Sequence, residues 1–206
     1  GVGTVRQQVL RLDHEPVSVP DPALLDSLAI AVCEAASDFD AVILSDYGYG
    51  AVDAHLCQRI DGVPVVVDSR MQLRQFVAAH TLKPNLSELE HIAGRDLLTS
   101  HDIAQAAEAL RMHTQAGAVL VTLGRDGMLL CESEQMLAVP VFGDDEIADV
   151  TGAGDSVLAA YALALGSGMN RFDAARIATV AGAVAVNRYG THAVRTVEIR
   201  EAVSHD

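Results

Sequence analysis

The sequence predicts an α/β fold with a largely parallel central sheet, and three observations carry that expectation. Short continuous apolar runs at 41–45, 63–68 and 118–123 end in polar residues, as expected of strands covered on both faces. Stretches with helical spacing of apolar residues alternate with them. No linker rich in Pro, Gly or Ser, no low-complexity tract and no repeat at solenoid period divides the 206 residues, so one unit spanning 1–206 is expected.

In chain order, residues 8–13 alternate apolar and polar side chains at period two, which suits a strand with one buried face. Asp21 followed by Pro22 offers a helix N-cap with proline in the first turn, and Leu24, Leu25, Leu28, Ala31 and Val32 continue a helix over 22–37. The runs at 41–45 and 63–68 read as central strands, with a crossover helix over 52–60 between them. Leu82 to Asn85 closes another short strand before a helix over 86–93, and Ser100, Ala104, Ala107, Leu110 and Met112 mark a longer helix. After the strand at 118–123, two short runs at 128–131 and 136–139 suit a hairpin at a sheet edge, and the remainder is mostly helical.

Half of the residues are hydrophobic and 20% are charged, which excludes a disordered chain; with 4% aromatic residues and no Trp, the core is expected to consist of Ala, Val, Leu and Ile. Fourteen basic against 28 acidic residues give a formal charge of −14, so nucleic acid is not an expected partner. Cys33, Cys57 and Cys131 are odd in number and widely spaced, without the pattern of a disulfide framework or zinc site, which fits a reducing cytoplasm. No apolar run approaches the roughly 20 residues that cross a bilayer, so no membrane partner is expected. The eight histidines are scattered, and none takes a metal-binding role. Because the chain starts at Gly1 without a leader-like segment, a trimmed or incomplete polypeptide is expected rather than a secreted one.

The most informative stretch runs from Asp149 through Thr151, Gly152, Ala153, Gly154 and Asp155 into a helix of small residues. Two glycines let the backbone approach a ligand, and the amides that open a helix lack intrahelical partners, so this turn suits a phosphate or a developing anion. A carboxylate at the same helix start is favoured as an anion and can accept a proton. Anion donors beside a base are what phosphoryl transfer to a hydroxyl requires. Read without further context, Gly152 and Gly154 make a tight turn and Asp155 caps the helix.

The longer string resembles the ribokinase-like (PfkB-type) carbohydrate kinases, whose signature is an Asp, a Gly-Ala-Gly turn, a catalytic Asp and a small-residue helix; every position from Asp149 through Ala162 fits it. The resemblance implies a three-layer α/β/α core with Asp155 as general base and Gly152, Ala153 and Gly154 as the anion hole. It further implies ATP and Mg²⁺, and a K⁺ ion beside the anion hole at Asp149, Thr151 and Gly190. Lys83, Asn85 and Glu88 lie in a segment similar to the family's Asn-x-x-Glu motif, which faces the nucleotide phosphates and metal. From the residues alone, Asn85 and Glu88 form a capping box, and the two roles can coexist. Thr122, Gly124 and Gly127 resemble the strand-to-turn segment that approaches the nucleotide, and equally suit a simple turn.

Segments 7–13, 44–50 and 82–90 look most like the kinase domains of bacterial heptose-phosphate kinases, although Tyr49 stands where those commonly carry Lys and Thr179 where they carry Asn. The expectation is therefore an ATP-dependent sugar kinase acting on D-glycero-D-manno-heptose 7-phosphate at its anomeric hydroxyl. Asp46 and Arg70 are expected on the substrate side, at strand ends where open α/β sheets bind ligands; a solvated surface Arg is the other reading of Arg70. Kinases of ribose, fructose or tagatose type and a non-catalytic nucleotide-binding or regulatory relative stay open. A dinucleotide-dependent oxidoreductase ranks last, because no G-x-G-x-x-G follows an early strand. The resemblance also implies that most of the family's N-terminal sugar-binding turns and β lid fall outside 1–206, and that a homodimer, often formed through that lid, is possible.

Overall fold

The computed structural model describes residues 20–143, 152–188 and 190–204, together with Leu10, Leu12 and His14. The strand expected over 8–13 therefore falls largely outside the described residues. Helix α1 (Pro22–Ala36) starts where the Asp21 carboxylate accepts the Ala23 amide at 2.9 Å. Strand β1 (Val42–Asp46) leads to α2 (Leu56–Arg59) and β2 (Val65–Ser69). Helix α2 is a single turn instead of the nine-residue crossover expected over 52–60. The Asp53 side chain accepts the His55 amide at 2.9 Å, a local bond that competes with helix formation.

Strand β3 (Thr81–Leu82), helices α3 (Leu86–Ala93) and α4 (Ser100–Thr114) and strand β4 (Ala118–Thr122) follow. Strands β5 (Met128–Glu132) and β6 (Met136–Val139) precede α5 (Ala153–Gly166), α6 (Arg171–Val186) and α7 (Thr196–Ser204). The sheet order is β1-β2-β3-β4-β5-β6, with β1 to β4 mutually parallel and β4, β5 and β6 antiparallel. The final hairpin is thus the sheet edge that the two short runs predicted.

Period-two alternation sorts the strands between two cores. Val65, Val67, Val119 and Val121 pack with Ala29 of α1, Leu56 of α2, Leu89 of α3 and Leu110 of α4. Val66, Leu120 and Leu130 pack on the other side with Leu158 and Tyr161 of α5 and Ala178 of α6. Helices therefore cover both faces, giving three layers. The small side chains of α5 and α6 allow these two helices to share one layer closely, with Gly182 directly against Val157.

Because β1 to β4 run in one direction, their last residues gather at one edge of the sheet, the position at which open α/β folds bind ligands. Among the described residues β1 pairs only with β2, and on this strand Ile43 is 39% exposed. No described helix is long and apolar enough to cross a membrane.

Candidate active site

Gly152 occupies the left-handed region at φ +79° and serves as N-cap of α5, so the helix begins at Ala153 and already contains Gly154 and Asp155 in its first turn. The first intrahelical bond is donated by the Ser156 amide to the Gly152 carbonyl at 3.0 Å. The amides of Ala153, Gly154 and Asp155 precede that bond and have no intrahelical acceptor. The Asp155 side chain stands exposed at the positive end of the helix dipole.

Thr191 backs this turn: its methyl carbon would lie 3.6 Å from a Cβ added at Gly152. The loop carrying Gly190 and Thr191 is tied down by the buried Glu198, which accepts the Arg195 amide at 2.9 Å and faces His192 Nε2 at 3.1 Å. The Arg195 amide, His192 and the Arg195 charge together hold the Glu198 carboxyl at about 2, well below its ordinary range. Of the proposed K⁺ ligands, Gly190 lies in this loop, whereas Asp149 and Thr151 fall outside the described residues.

Ala153 and Gly154 open onto a cleft of ≈ 730 Å³ that also takes in Asn85, Thr122, Gly124 and Gly127. Asn85 and Thr122 meet in a parallel bridge, and the Thr122 amide donates to the Pro84 carbonyl at 3.0 Å, which brings the start of α3 beside the end of β4. Gly127 has φ +79°, and a Cβ there would run into the Val139 carbonyl, so this glycine is required by the turn itself. Gly124 has open space beside it instead. Thr179, Gly182, Ala183 and Val186 form one wall of the cleft at i, i+3, i+4 and i+7 along α6. Apart from Thr179, sequence reasoning missed this wall. Its only sequence signal, small residues at helical spacing, is the same one that close helix packing leaves.

Asn85 and Glu88 do form the capping box: the Glu88 amide donates to Asn85 Oδ1 and the Asn85 amide to Glu88 Oε2, both at 2.8 Å. Glu88 keeps its other carboxylate oxygen out of that exchange. Burial raises its carboxyl above the ordinary range and the Asp68 charge adds to this, against the Asn85 amide, Lys83 and Arg70. Lys83 is buried, with Nζ 3.0 Å from Asp68 Oδ2, a partner that sequence reasoning did not assign.

Three strands away from β4, Asp46 is 4% exposed and accepts from Ser69 Oγ at 2.7 Å and from the Gly48 amide at 2.8 Å. Arg70 lies in the open, its guanidinium carbon 4.6 Å from the centroid of the Tyr47 ring. The structure thus brings Asn85, Thr122, Gly124, Gly127, Ala153 and Gly154 around one cleft and puts Asp155 on the helix turn that opens onto it. Asp46 and Arg70 sit apart at the ends of β1 and β2, while Lys83 and Glu88 lie at the end of β3 and the start of α3. A cleft with a helix N-terminus and an exposed carboxylate can hold an anionic group next to a proton acceptor.

The profile of the pfkB family carbohydrate kinases matches residues 22–197. The bifunctional protein HldE of Shewanella piezotolerans is 37% identical over 206 residues, covering 96% of this chain and 42% of that protein. HldE of Pseudomonas putida is 35% identical over 206 residues, covering 97% and 42%. The chain thus spans less than half the length of these curated relatives. Among solved structures, phosphofructokinase-2 from Escherichia coli in complex with potassium superposes with a TM-score of 0.79 at 23% identity, covering 91% of this chain and 63% of that one. Arabidopsis thaliana ribokinase complexed with ribose and ATP gives 0.74 at 22%, covering 90% and 60%. These neighbours establish the ribokinase-like fold, and with the profile match over most of its length the chain belongs to the pfkB family of carbohydrate kinases.

Proposed function

We propose that this chain is the catalytic core of an ATP-dependent sugar kinase, and that its acceptor is D-glycero-D-manno-heptose 7-phosphate, phosphorylated at the anomeric hydroxyl. The observation that carries the reading is the opening of α5: unpaired amides of Ala153 and Gly154 on the cleft, with the exposed Asp155 carboxylate in the same helical turn. ATP fits the cleft with its base against the small-residue face of α6 and its phosphates toward the amides. The likeness to HldE proteins supports the heptose acceptor.

Asp155 takes the proton of the attacking hydroxyl, whose oxygen forms the new bond to the γ-phosphorus as the bond to the β-phosphate oxygen breaks and ADP departs. The amides at 152–154 hold the phosphoryl oxygens as their charge redistributes. Asn85 and the uncommitted oxygen of Glu88 suit Mg²⁺ held through its waters, since this ion usually relies on few protein ligands. When bound, it would neutralise charge on the nucleotide phosphates. Lys83 supports Asp68 and Glu88 from below, Thr122, Gly124 and Gly127 shape the cleft floor, and Asp46 and Arg70 serve the acceptor side. A K⁺ ion beside the anion turn would use Asp149, Thr151 and Gly190. The edge of β1, which has no partner among the described residues, and the exposed Ile43 on that strand suit pairing with a further strand, with 1–206 as a single core.

Asp155→Asn is the deciding variant. Turnover, followed as sugar-dependent ADP release, is expected to fall by about 10²- to 10⁴-fold while calorimetric ATP binding stays close to wild type. Near-full turnover would remove Asp155 from the mechanism, and ATP binding without any sugar-dependent ADP release in the wild type would make the protein a non-catalytic relative.

A further inference from the structure

Among the described residues, Lys83, Arg70 and Arg125 stand at the edge where the parallel strands end; Arg125 lines the nucleotide cleft, and the surroundings of the other two differ. Lys83 is buried and neutralised by Asp68 at 3.0 Å. Arg70, the first residue after β2, is exposed, and among the described residues no carboxylate lies within ion-pair distance of its guanidinium. Its backbone is fixed instead: strands β1 and β2 end in register at Asp46 and Ser69, and the Arg70 amide donates to the Asp46 carbonyl at 3.2 Å. The Asp46 carboxylate ties the two strand ends together through Ser69 Oγ and the Gly48 amide. That second bond also shapes the turn after Tyr47, whose ring lies 4.6 Å beneath the guanidinium.

Stacking engages the face of a guanidinium and leaves its in-plane N–H groups directed outward, a flat fork that matches phosphate. A buried carboxylate that fixes two strand ends, an aromatic platform and an Arg without a carboxylate partner among the described residues suit a positioned phosphate contact in a chain of formal charge −14. The nucleotide cleft is lined from α3 and β4 onward and does not take in Arg70, which follows Asp68 at the end of β2, although its charge still acts on Glu88 at the start of α3.

We propose that Arg70, held over Tyr47, recognises the phosphate group carried by the acceptor, so that phosphorylated sugars are selected over free ones, with Asp46 as the residue that positions it. This rests on the kinase reading above and adds a specificity determinant to it. A phosphate of the nucleotide is the other source of the same chemistry, and kinetics separates the two.

The test uses Arg70→Ala, Arg70→Lys and Asp46→Asn, with D-glycero-D-manno-heptose 7-phosphate and the corresponding unphosphorylated heptose as probes. Losing hydrogen bonds from a charged group is expected to raise KM for the heptose phosphate about 10- to 100-fold in Arg70→Ala, with kcat and the KM for ATP nearly constant. Preference for the phosphorylated over the free sugar should collapse, Arg70→Lys should restore part of it, and Asp46→Asn should move the same KM by a smaller factor. A parallel rise in the KM for ATP would assign Arg70 to the nucleotide, and unchanged constants would make it a solvated surface residue; either result overturns the proposal. Calorimetric titration of heptose 7-phosphate keeps the two readings apart: Arg70-dependent binding without turnover would sink only the kinase assignment, and turnover indifferent to Arg70 only this one.

Discussion

The two edges of the same sheet treat polar groups in opposite ways. At the edge where β1 to β4 end, the amides of Ala153 and Gly154, the Asp155 carboxylate and the Arg70 guanidinium face open space. At the other edge, polar groups bond to one another. Arg171 at the start of α6 donates to Glu132 at 3.0 Å and approaches His80 Nε2 at 3.3 Å; His80 Nδ1 lies 3.3 Å from Thr81 Oγ1, which lies 3.2 Å from the buried Tyr161 hydroxyl. Among the described residues only Arg171 Nε is a buried side-chain donor without a partner. Groups that pair internally add to stability, and groups left open are available to a ligand. A cavity of ≈ 350 Å³ beside His80, Glu132 and Arg171 at the paired edge therefore does not carry the same meaning as the cleft at the open one.

This contrast can be broken by experiment. Its largest expected effect comes from Arg171→Met, which leaves Glu132 and His80 without their donor. A loss of about 2–3 kcal/mol, or roughly 5–10 °C in Tm for a chain of this size, is expected in thermal unfolding, with turnover below the transition unchanged. If turnover fell while Tm held, the paired edge would have a role in catalysis and the contrast would fail.

Ala183→Leu tests the open edge from the opposite direction. The added volume enters the cleft wall, so the KM for ATP is expected to rise about 10- to 100-fold while Tm stays near wild type. A large drop in Tm with unchanged ATP affinity would mean that this wall is ordinary packing between helices.

The smallest effect concerns His80. Burial, with the Arg171 charge second, lowers its pKa from 6.5 to about 4, so between those values the unfolded chain binds the proton that the folded chain refuses. The stability associated with neutral His80 is complete above the upper value and is lost progressively as pH falls toward the lower one. A series of Tm measurements across that interval should show this slope in wild type and a shallower one in His80→Gln. Equal slopes would mean that His80 does not titrate as its surroundings dictate.

Much of the molecule was legible before any coordinates. The Asp21 cap, the capping box of Asn85 and Glu88, the parallel strands and the edge hairpin formed where their patterns indicated. The helix expected over 52–60 shrank to one turn because apolar spacing says nothing about the Asp53 side chain capturing a backbone amide. The motif at 152–155 was readable as a turn leading into a helix, yet its string did not show that the helix already begins at Ala153.

By itself, the sequence determined whatever depends on neighbours a few residues apart: periodicity, caps, the turn at Gly152 and Gly154 and the order of strands and helices. Tertiary structure alone decided that Asp68 neutralises Lys83 while Arg70 stays open, that one face of α6 walls the cleft, and that Asp46 is buried between two strand ends. The reason is physical. Local hydrogen bonds and apolar periods are written in consecutive residues, whereas the partner of a charge is set by strand register and by which elements pack beside it, and those follow from the energy of the whole core.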